Sequence, residues 1–293
     1  MTAPRLFWIF ALCTGCTAGS LADDLRARIS GFQGDVSLYA KNLDTSVSVG
    51  IHEAEPVRTA STIKLPIMVA VFDAVARGQA RWSDRLTVTK AAKAPGSGII
   101  ASEIDDGVEL PIADVMHLMI VLSDNTATNM ILDRFTADAV NAYLDRIGIK
   151  TTRSLRKIGG GGVSAAGKLS GNEKFGLGVS TPRDMVTILE RLERGKLVSA
   201  EASKEMIAVL KRCHDDLGMR RKLYGTPIAN KTGALDALRS DAGIVYAKKG
   251  RVAMAITVDG MPSYGYTPDN PGLLLIADLA KMIVDGLTSS EAP

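Results

Sequence analysis

The chain alternates apolar and polar residues with period two only near its two ends, and helical spacing fills nearly everything between. Near the start, Val36-Ser37-Leu38-Tyr39-Ala40 and Val47-Ser48-Val49-Gly50-Ile51 flank the turn Asn42-Leu43-Asp44-Thr45, which reads as a β-hairpin. Far along the chain, residues 243–247 and 252–258 flank Lys248-Lys249-Gly250 as a second hairpin, preceded by a strand over residues 227–232. Helical spacing runs through residues 62–77, 112–122, 126–135, 137–147, 182–193 and 200–211, with a short helix at 25–29 and a long apolar one at 272–287. Strand backbone groups need partners, and the economical fold pairs the terminal strands in one antiparallel sheet. The expected fold is therefore α/β plus all-α: an antiparallel sheet from both chain termini flanked by helices, with an inserted helical lobe. The expected boundaries put 23–57 and 212–293 in the α/β lobe and 58–211 in the helical lobe. A cleft between such lobes would draw its residues from both.

The 293 residues and 46% hydrophobic content suffice for one large core or two fused lobes. A formal charge of +3 without a long basic run argues against nucleic acid as a partner. Arg5, the apolar run of residues 6–13 and the small residues of Ser20-Leu21-Ala22 read as a signal peptide over 1–22, with cleavage before Asp23. A secreted or periplasmic location follows, with lipid attachment at Cys16 as the alternative because Thr14-Gly15-Cys16 is like the end of a lipobox. No segment reads as a stable membrane insertion, and a monomer is expected. Cys13 and Cys16 belong to the leader, which leaves Cys213 without an intramolecular disulfide partner. His52, His117 and His214 lack metal-ligand spacing, so no metal is expected and no cofactor is implied. The phosphate-loop imitation at 162–168 is followed by Leu169 where a hydroxyl should hold Mg²⁺, and no strand precedes it.

Three motifs carry the chemistry: Ser61-Thr62-Ile63-Lys64, Ser123-Asp124-Asn125 and Lys231-Thr232-Gly233. Three residues of helix put Ser61 and Lys64 on one face, a nucleophile beside an amine that desolvation or a second cation such as Lys231 would convert into a base. The apolar run from Leu65 to Phe72 argues that Lys64 is not freely exposed. Ser123 offers a proton relay, and Asn125 a hydrogen bond to a substrate amide, while Asp124 can cap the next helix. Lys231 and Thr232 can bind a carboxylate, Gly233 admits close backbone approach, and the N–H groups of Ala234 and Ser61 would form an oxyanion hole. Each motif alone is weak. In this order they make a kit for acyl transfer through a covalent serine intermediate.

The trio resembles the class A β-lactamase-type serine hydrolases, of the superfamily shared with penicillin-binding proteins, and the likeness runs from about Asp23 to Leu287. The stretches Ser123-Asp124-Asn125-Thr126-Ala127-Thr128-Asn129 and Ser180-Thr181-Pro182-Arg183-Asp184-Met185 add to it. The resemblance implies a serine β-lactamase with an acyl-enzyme on Ser61, acting on a small-molecule β-lactam or a peptidoglycan-like acyl donor. The alternatives are a penicillin-binding, peptidase-like or esterase-like hydrolase with slow deacylation, and a non-catalytic binding module. Two departures stand out. The family's deacylating Glu would fall near Ala165 by its spacing from Pro182, and Glu173 in the Gly-rich loop 151–180 is the substitute. The family's carboxylate-binding Arg would fall at Ala242, with Arg239 or Arg221 as the compensating cation.

Overall fold

A computed structural model describes residues 18–262 and 265–289. The chain opens with α1 (Ala18–Ile29), then β1 (Asp35–Asn42), β2 (Ser48–Ile51) and the two-residue β3 (Val57–Arg58). A single 3₁₀ turn, Ala60–Ile63, leads into α2 (Lys64–Ala76). The helical part continues through β4 (Arg85–Thr87), α3 (Ile100–Glu103), β5 (Glu109–Pro111), α4 (Ile112–Val121), α5 (Asn125–Phe135) and α6 (Ala137–Arg146). After β6 (Arg153–Ser154) and β7 (Gly178–Ser180) come α7 (Pro182–Glu193), α8 (Ala200–Lys211), β8 (Ile228–Leu235), β9 (Leu238–Ala247), β10 (Gly250–Asp259) and α9 (Pro271–Leu287). Arg5, the apolar leader run, Cys13 and Cys16 lie outside the described residues, and the expected junction before Asp23 falls within α1.

The terminal strands do join, in one five-stranded sheet of order β2-β1-β10-β9-β8. β1 and β10 pair antiparallel from Asp35↔Asp259 to Asn42↔Val252, so strands more than two hundred residues apart close the sheet. Alternation sorts its faces. Val36, Leu38, Ala40, Val252, Met254, Ile256 and Val258 pack with Leu25 of α1 and with Leu275, Leu279 and Ile283 of α9. Ala229, Ala242, Ala253 and Ala255 point the other way, into a core shared with α2, α4, α7 and α8. Their small side chains let α7 lie against β1 and β10, and α8 against β8.

β9 begins at Leu238, five residues earlier than the alternation indicates, because its first eight residues are all buried. A strand covered on both faces has no polar face to mark its period. The three-stranded β3-β7-β6 and two-stranded β4-β5 sheets use strands of two or three residues, too short to show a period. Among the described residues no helix is long and apolar enough to cross a membrane.

Candidate active site

Ser61 sits in the 3₁₀ turn before α2, and the turn is pinned from both sides. The Thr59 amide and hydroxyl both donate to Gly178 O, at 3.1 and 2.9 Å. Thr59 O in turn accepts from Thr62 Oγ1 at 2.7 Å and Ser240 Oγ at 3.2 Å. Ala60 is held at φ +46, a left-handed conformation rare for a residue with a Cβ and directly before Ser61. Edge strand β8 lies alongside through Gly233, where a Cβ would stand 3.0 Å from Ser61 N, 2.8 Å from Thr59 O and 2.6 Å from Ser240 Oγ. Only glycine lets the strand come this close. Ser61 is half-buried, and its hydroxyl has no hydrogen-bond partner among the described residues.

Lys64 is wholly buried, as its apolar neighbours require. Its Nζ reaches Ser123 O at 2.7 Å, Ser123 Oγ at 3.2 Å and Asn125 Oδ1 at 3.0 Å. Burial pushes its ammonium well below the ordinary lysine range; the charge of Lys231 pushes the same way, and Asp124 opposes. A neutral amine has two N–H donors and one lone pair. Such an amine can give its two N–H groups to the Ser123 and Asn125 carbonyl oxygens and turn its lone pair to the Ser123 hydroxyl, whereas the ammonium would donate to all three. Lys231 is equally buried, donates to Thr232 O at 2.9 Å, and is lowered chiefly by burial.

The second motif is built as a clamp. Ser123 has φ +55, a further left-handed residue at the centre of the cluster. Asp124 caps α5 through Ala127 N at 2.8 Å and also accepts from Ile99 N and Ile100 N at 2.7 and 2.9 Å. Asn125 accepts the Lys64 amine, donates Nδ2 to Pro95 O at 2.9 Å and its backbone N–H to Ser97 O at 3.0 Å. One Nδ2 hydrogen of Asn125 is left for a ligand.

Across the sheet, Lys231 pairs with Ala242, Thr232 with Asp241 and Ala234 with Arg239. Ala242, where the resemblance calls for an Arg, turns into the helical core. Arg239 shares the Thr232 face of the ladder, because side chains two apart on a strand point the same way. Its guanidinium donates to Leu235 O at 2.5 Å, to Leu238 O at 2.7 Å and to Gly265 O, and lies 4.9 Å from the Tyr266 ring centre. Three of its five N–H groups are thereby used and two remain. Arg221 is tied instead to Pro268 O and Asp269. Asp241 accepts from Asn230 Nδ2 at 2.8 Å and Met219 N at 3.0 Å, while burial raises its carboxyl to about 7.

Glu173 is not brought to this cluster. It is exposed in the 3₁₀ turn Glu173–Phe175, and its Oε2 accepts from Gly171 N at 2.8 Å, the turn's own backbone. Ala165, the position reached by counting from Pro182, is exposed and donates its N–H to Asp138 at 2.8 Å. Beside the ion pair of Lys157 with Asp133, Ile158 is also held against α5. Its N–H donates to Asn129 Oδ1 at 2.9 Å, and its carbonyl accepts from Asn129 Nδ2 at 3.1 Å. Asn129 stands one helical turn beyond Asn125 on the same face of α5. In the sequence the signal for this pair is the four-residue spacing of the two asparagines.

The Ser61 hydroxyl, the buried Lys64 amine with its lowered pKa, Ser123 and a Lys-Thr-Gly edge strand, on a sheet built from both termini, make the arrangement expected of a serine acyl-transfer hydrolase. A family model described as the beta-lactamase enzyme family matches residues 20–287, and the chain belongs to that family. Among solved structures, the β-lactamase of Sphaerobacter thermophilus DSM 20745 is 27% identical with TM-score 0.79, covering 92% of this chain and 97% of that one. PBP-A is 28% identical with TM-score 0.79, over 91% and 95% of the two chains. The class A β-lactamase of Mycobacterium abscessus, at 19% identity, shares the fold with TM-score 0.80 over 92% and 100%. No curated protein matches the sequence significantly.

Proposed function

We propose that this serine β-lactamase opens its substrate's ring by attack of Ser61 Oγ, with neutral Lys64 as the base that takes the hydroxyl proton. The Oγ–C bond forms as the ring C–N bond breaks. Ser123 gives its proton to the departing nitrogen and recovers one from Lys64 Nζ, 3.2 Å away. The N–H groups of Ser61 and Ala234 stabilise the developing oxyanion. Lys231, Thr232 and the two spare N–H groups of Arg239 hold the substrate carboxylate, Gly233 gives its backbone room, and Asn125 Nδ2 takes the acyl amide. The observation that carries this reading is the buried Lys64 amine bonded to Ser123 and pushed down by Lys231. A variant of PBP-A, 27% identical to this chain, is described as an acyl-enzyme complex with penicillin G, which supports a β-lactam as acyl donor. Intact-mass measurement after penicillin G exposure should find an adduct on the wild-type chain, mapped to Ser61, and none on Ser61→Ala. An equal adduct on both would remove Ser61 from the reaction.

Deacylation is assigned to Lys64 as well. The carboxylate nearest in sequence to the relay, Asp124, already accepts three backbone N–H bonds, and Glu173 serves its own turn. A slow second step, the penicillin-binding alternative, is favoured by the same observation. A pre-steady-state burst with a chromogenic cephalosporin separates the two: fast acylation with a long-lived adduct supports the alternative, and linear turnover supports efficient hydrolysis. Export to the periplasm remains part of the proposal, checked by the N-terminal sequence of the protein recovered from that compartment.

A further inference from the structure

The Lys-Thr-Gly strand is fastened by a buried polar pair that the reaction does not use. Asn230, immediately before Lys231, and Asp241, opposite Thr232, lie diagonally on one face of the β8–β9 ladder. Both are wholly buried. Asn230 Nδ2 donates to Asp241 Oδ1 at 2.8 Å, and the N–H of Met219, in the 3₁₀ turn Met219–Lys222, donates to Asp241 Oδ2 at 3.0 Å. At the other end of the amide, Asn230 Oδ1 accepts from Arg220 Nε at 2.9 Å. Arg220 also donates to Ile228 O at 2.6 Å, on the same strand. The amide therefore has one orientation, with its oxygen on a guanidinium and its nitrogen on a carboxyl.

Two glycines make room for this pair. At Gly218 a Cβ would stand 2.5 Å from Asp241 Oδ2, and at Gly243, opposite Asn230, it would stand 2.5 Å from Asn230 Cβ. Thr232 shows what the arrangement achieves. Its side chain shares the face of Asp241 and lies directly across from it, yet its hydroxyl has no hydrogen-bond partner among the described residues. Both carboxyl oxygens of Asp241 are turned to Asn230 and Met219 instead, so this acceptor leaves the Thr232 hydroxyl free for a ligand. Lys231 stands between the two residues, Asn230 and Thr232, that this face fixes.

We infer that Asp241 is a positioning residue for substrate recognition: together with Asn230 it holds Lys231 and Thr232 where they meet the substrate carboxylate. This role rests on the reading that Lys231 and Thr232 hold that carboxylate, and it adds the buried support that keeps them in place. Asp241 itself touches neither the substrate nor the reacting atoms. In Asp241→Asn, one of the two N–H donors from Asn230 and Met219 faces an amide NH₂ in place of an oxygen, and the pair comes apart. Arg220→Met releases Asn230 Oδ1 from the half-buried outer end and leaves Asp241 intact.

Single-turnover acylation by penicillin G and by its methyl ester, which lacks the carboxylate charge, tests this on the full chain. The wild-type chain should favour the acid, and Asp241→Asn should cut that preference about tenfold, the effect of one charge-assisted hydrogen bond. The loss should appear in the half-saturating penicillin G concentration, with the limiting acylation rate kept within about twofold. Arg220→Met should act in the same direction by about threefold, and it decides alone if circular dichroism shows that Asp241→Asn does not fold. A merely structural role would slow acid and ester by the same factor. The positioning role is overturned by that result, or by a wild-type preference in every folded variant. Lys231→Met tells its failure from that of the underlying reading. A preference lost in Lys231→Met but kept in Asp241→Asn removes only the role of Asp241. A preference that survives Lys231→Met, or is absent from wild type, removes the carboxylate-binding edge and the role of Asp241 with it.

Discussion

A buried ammonium is expensive, and among the described residues two lysines are wholly buried. Lys64 and Lys231 are both fully enclosed, and burial is the largest influence on each. For Lys64 the cost is the function, since an amine at its ordinary pKa is a cation near neutrality and cannot take a proton. Acylation should therefore fall as pH drops through the depressed Lys64 pKa. Lys231→Met removes the neighbouring charge that helps depress it, so the Lys64 pKa should rise and the acid limb of the acylation rate should move to higher pH. The single-turnover rate at saturating substrate, followed against pH, reads this shift whatever the loss in amplitude. A limb that stays in place, or moves to lower pH, would count against Lys64 as the base. Lys64→Arg keeps a cation that does not deprotonate, and acylation should drop by about 10²- to 10⁴-fold. The enclosure of Lys64 was legible in the unbroken apolar run after it. The burial of Lys231 was not, because it depends on what lies across the cleft and not on its own strand.

At the scale of elements, most helices were legible from one buried stripe, as in α7, and the two hairpins from their apolar runs and the turn residues between them. β9 was only half legible because both its faces are covered. The Ser123-Asp124-Asn125 turn gains its shape from outside itself: Asp124 accepts from Ile99 and Ile100, and Asn125 bonds Pro95 and Ser97, contacts that no local pattern announces. Gly98 is the closest point of that clamp. Its φ is +103, and a Cβ there would lie 2.2 Å from the Asp124 carboxylate and 2.5 Å from Asp124 Cα, a backbone atom that cannot swing aside. Gly98→Ala should therefore cost about 3 kcal/mol or more in urea unfolding, strain and overpacking together, and should lower kcat/KM by displacing Ser123 and Asn125. Gly107 has φ +88 with open space around it, so Gly107→Ala should cost only about 1 kcal/mol and leave kcat/KM unchanged. Equal effects of the two variants would mean that the clamp does not shape the relay.

For the whole molecule, the question is what the loop of residues 151–180 contributes to a site otherwise made by α2, α5 and β8. The sequence marked the loop as irregular and Gly-rich, and Gly159, Gly160, Gly161 and Gly162 all adopt positive φ in the turn that Lys157 closes onto Gly161 O. Its register against α5 was not legible. Counting from Pro182 assumes a fixed loop length, whereas the loop is fastened by Asn129 to Ile158 across 29 residues, a side-chain-to-backbone pairing without a local signature. Because Asn125 meets Lys64 and Asn129 lies one turn further along the same face, the Ile158 backbone is held about 5–6 Å along α5 from the amine's partner. An isoleucine there offers no base to a water approaching the acyl-enzyme. Ile158→Glu should supply one and shorten the life of the penicillin G adduct by about tenfold or more, within the range of general-base assistance. Glu173→Gln should leave that lifetime within about twofold, because a base must lie within hydrogen-bond reach of the water it activates. Time-resolved intact-mass spectra of the adduct measure both. An unchanged lifetime in Ile158→Glu would show that Asn129 does not hold this residue over the ester, and a long-lived adduct in Glu173→Gln would return the deacylating role to the loop's own carboxylate.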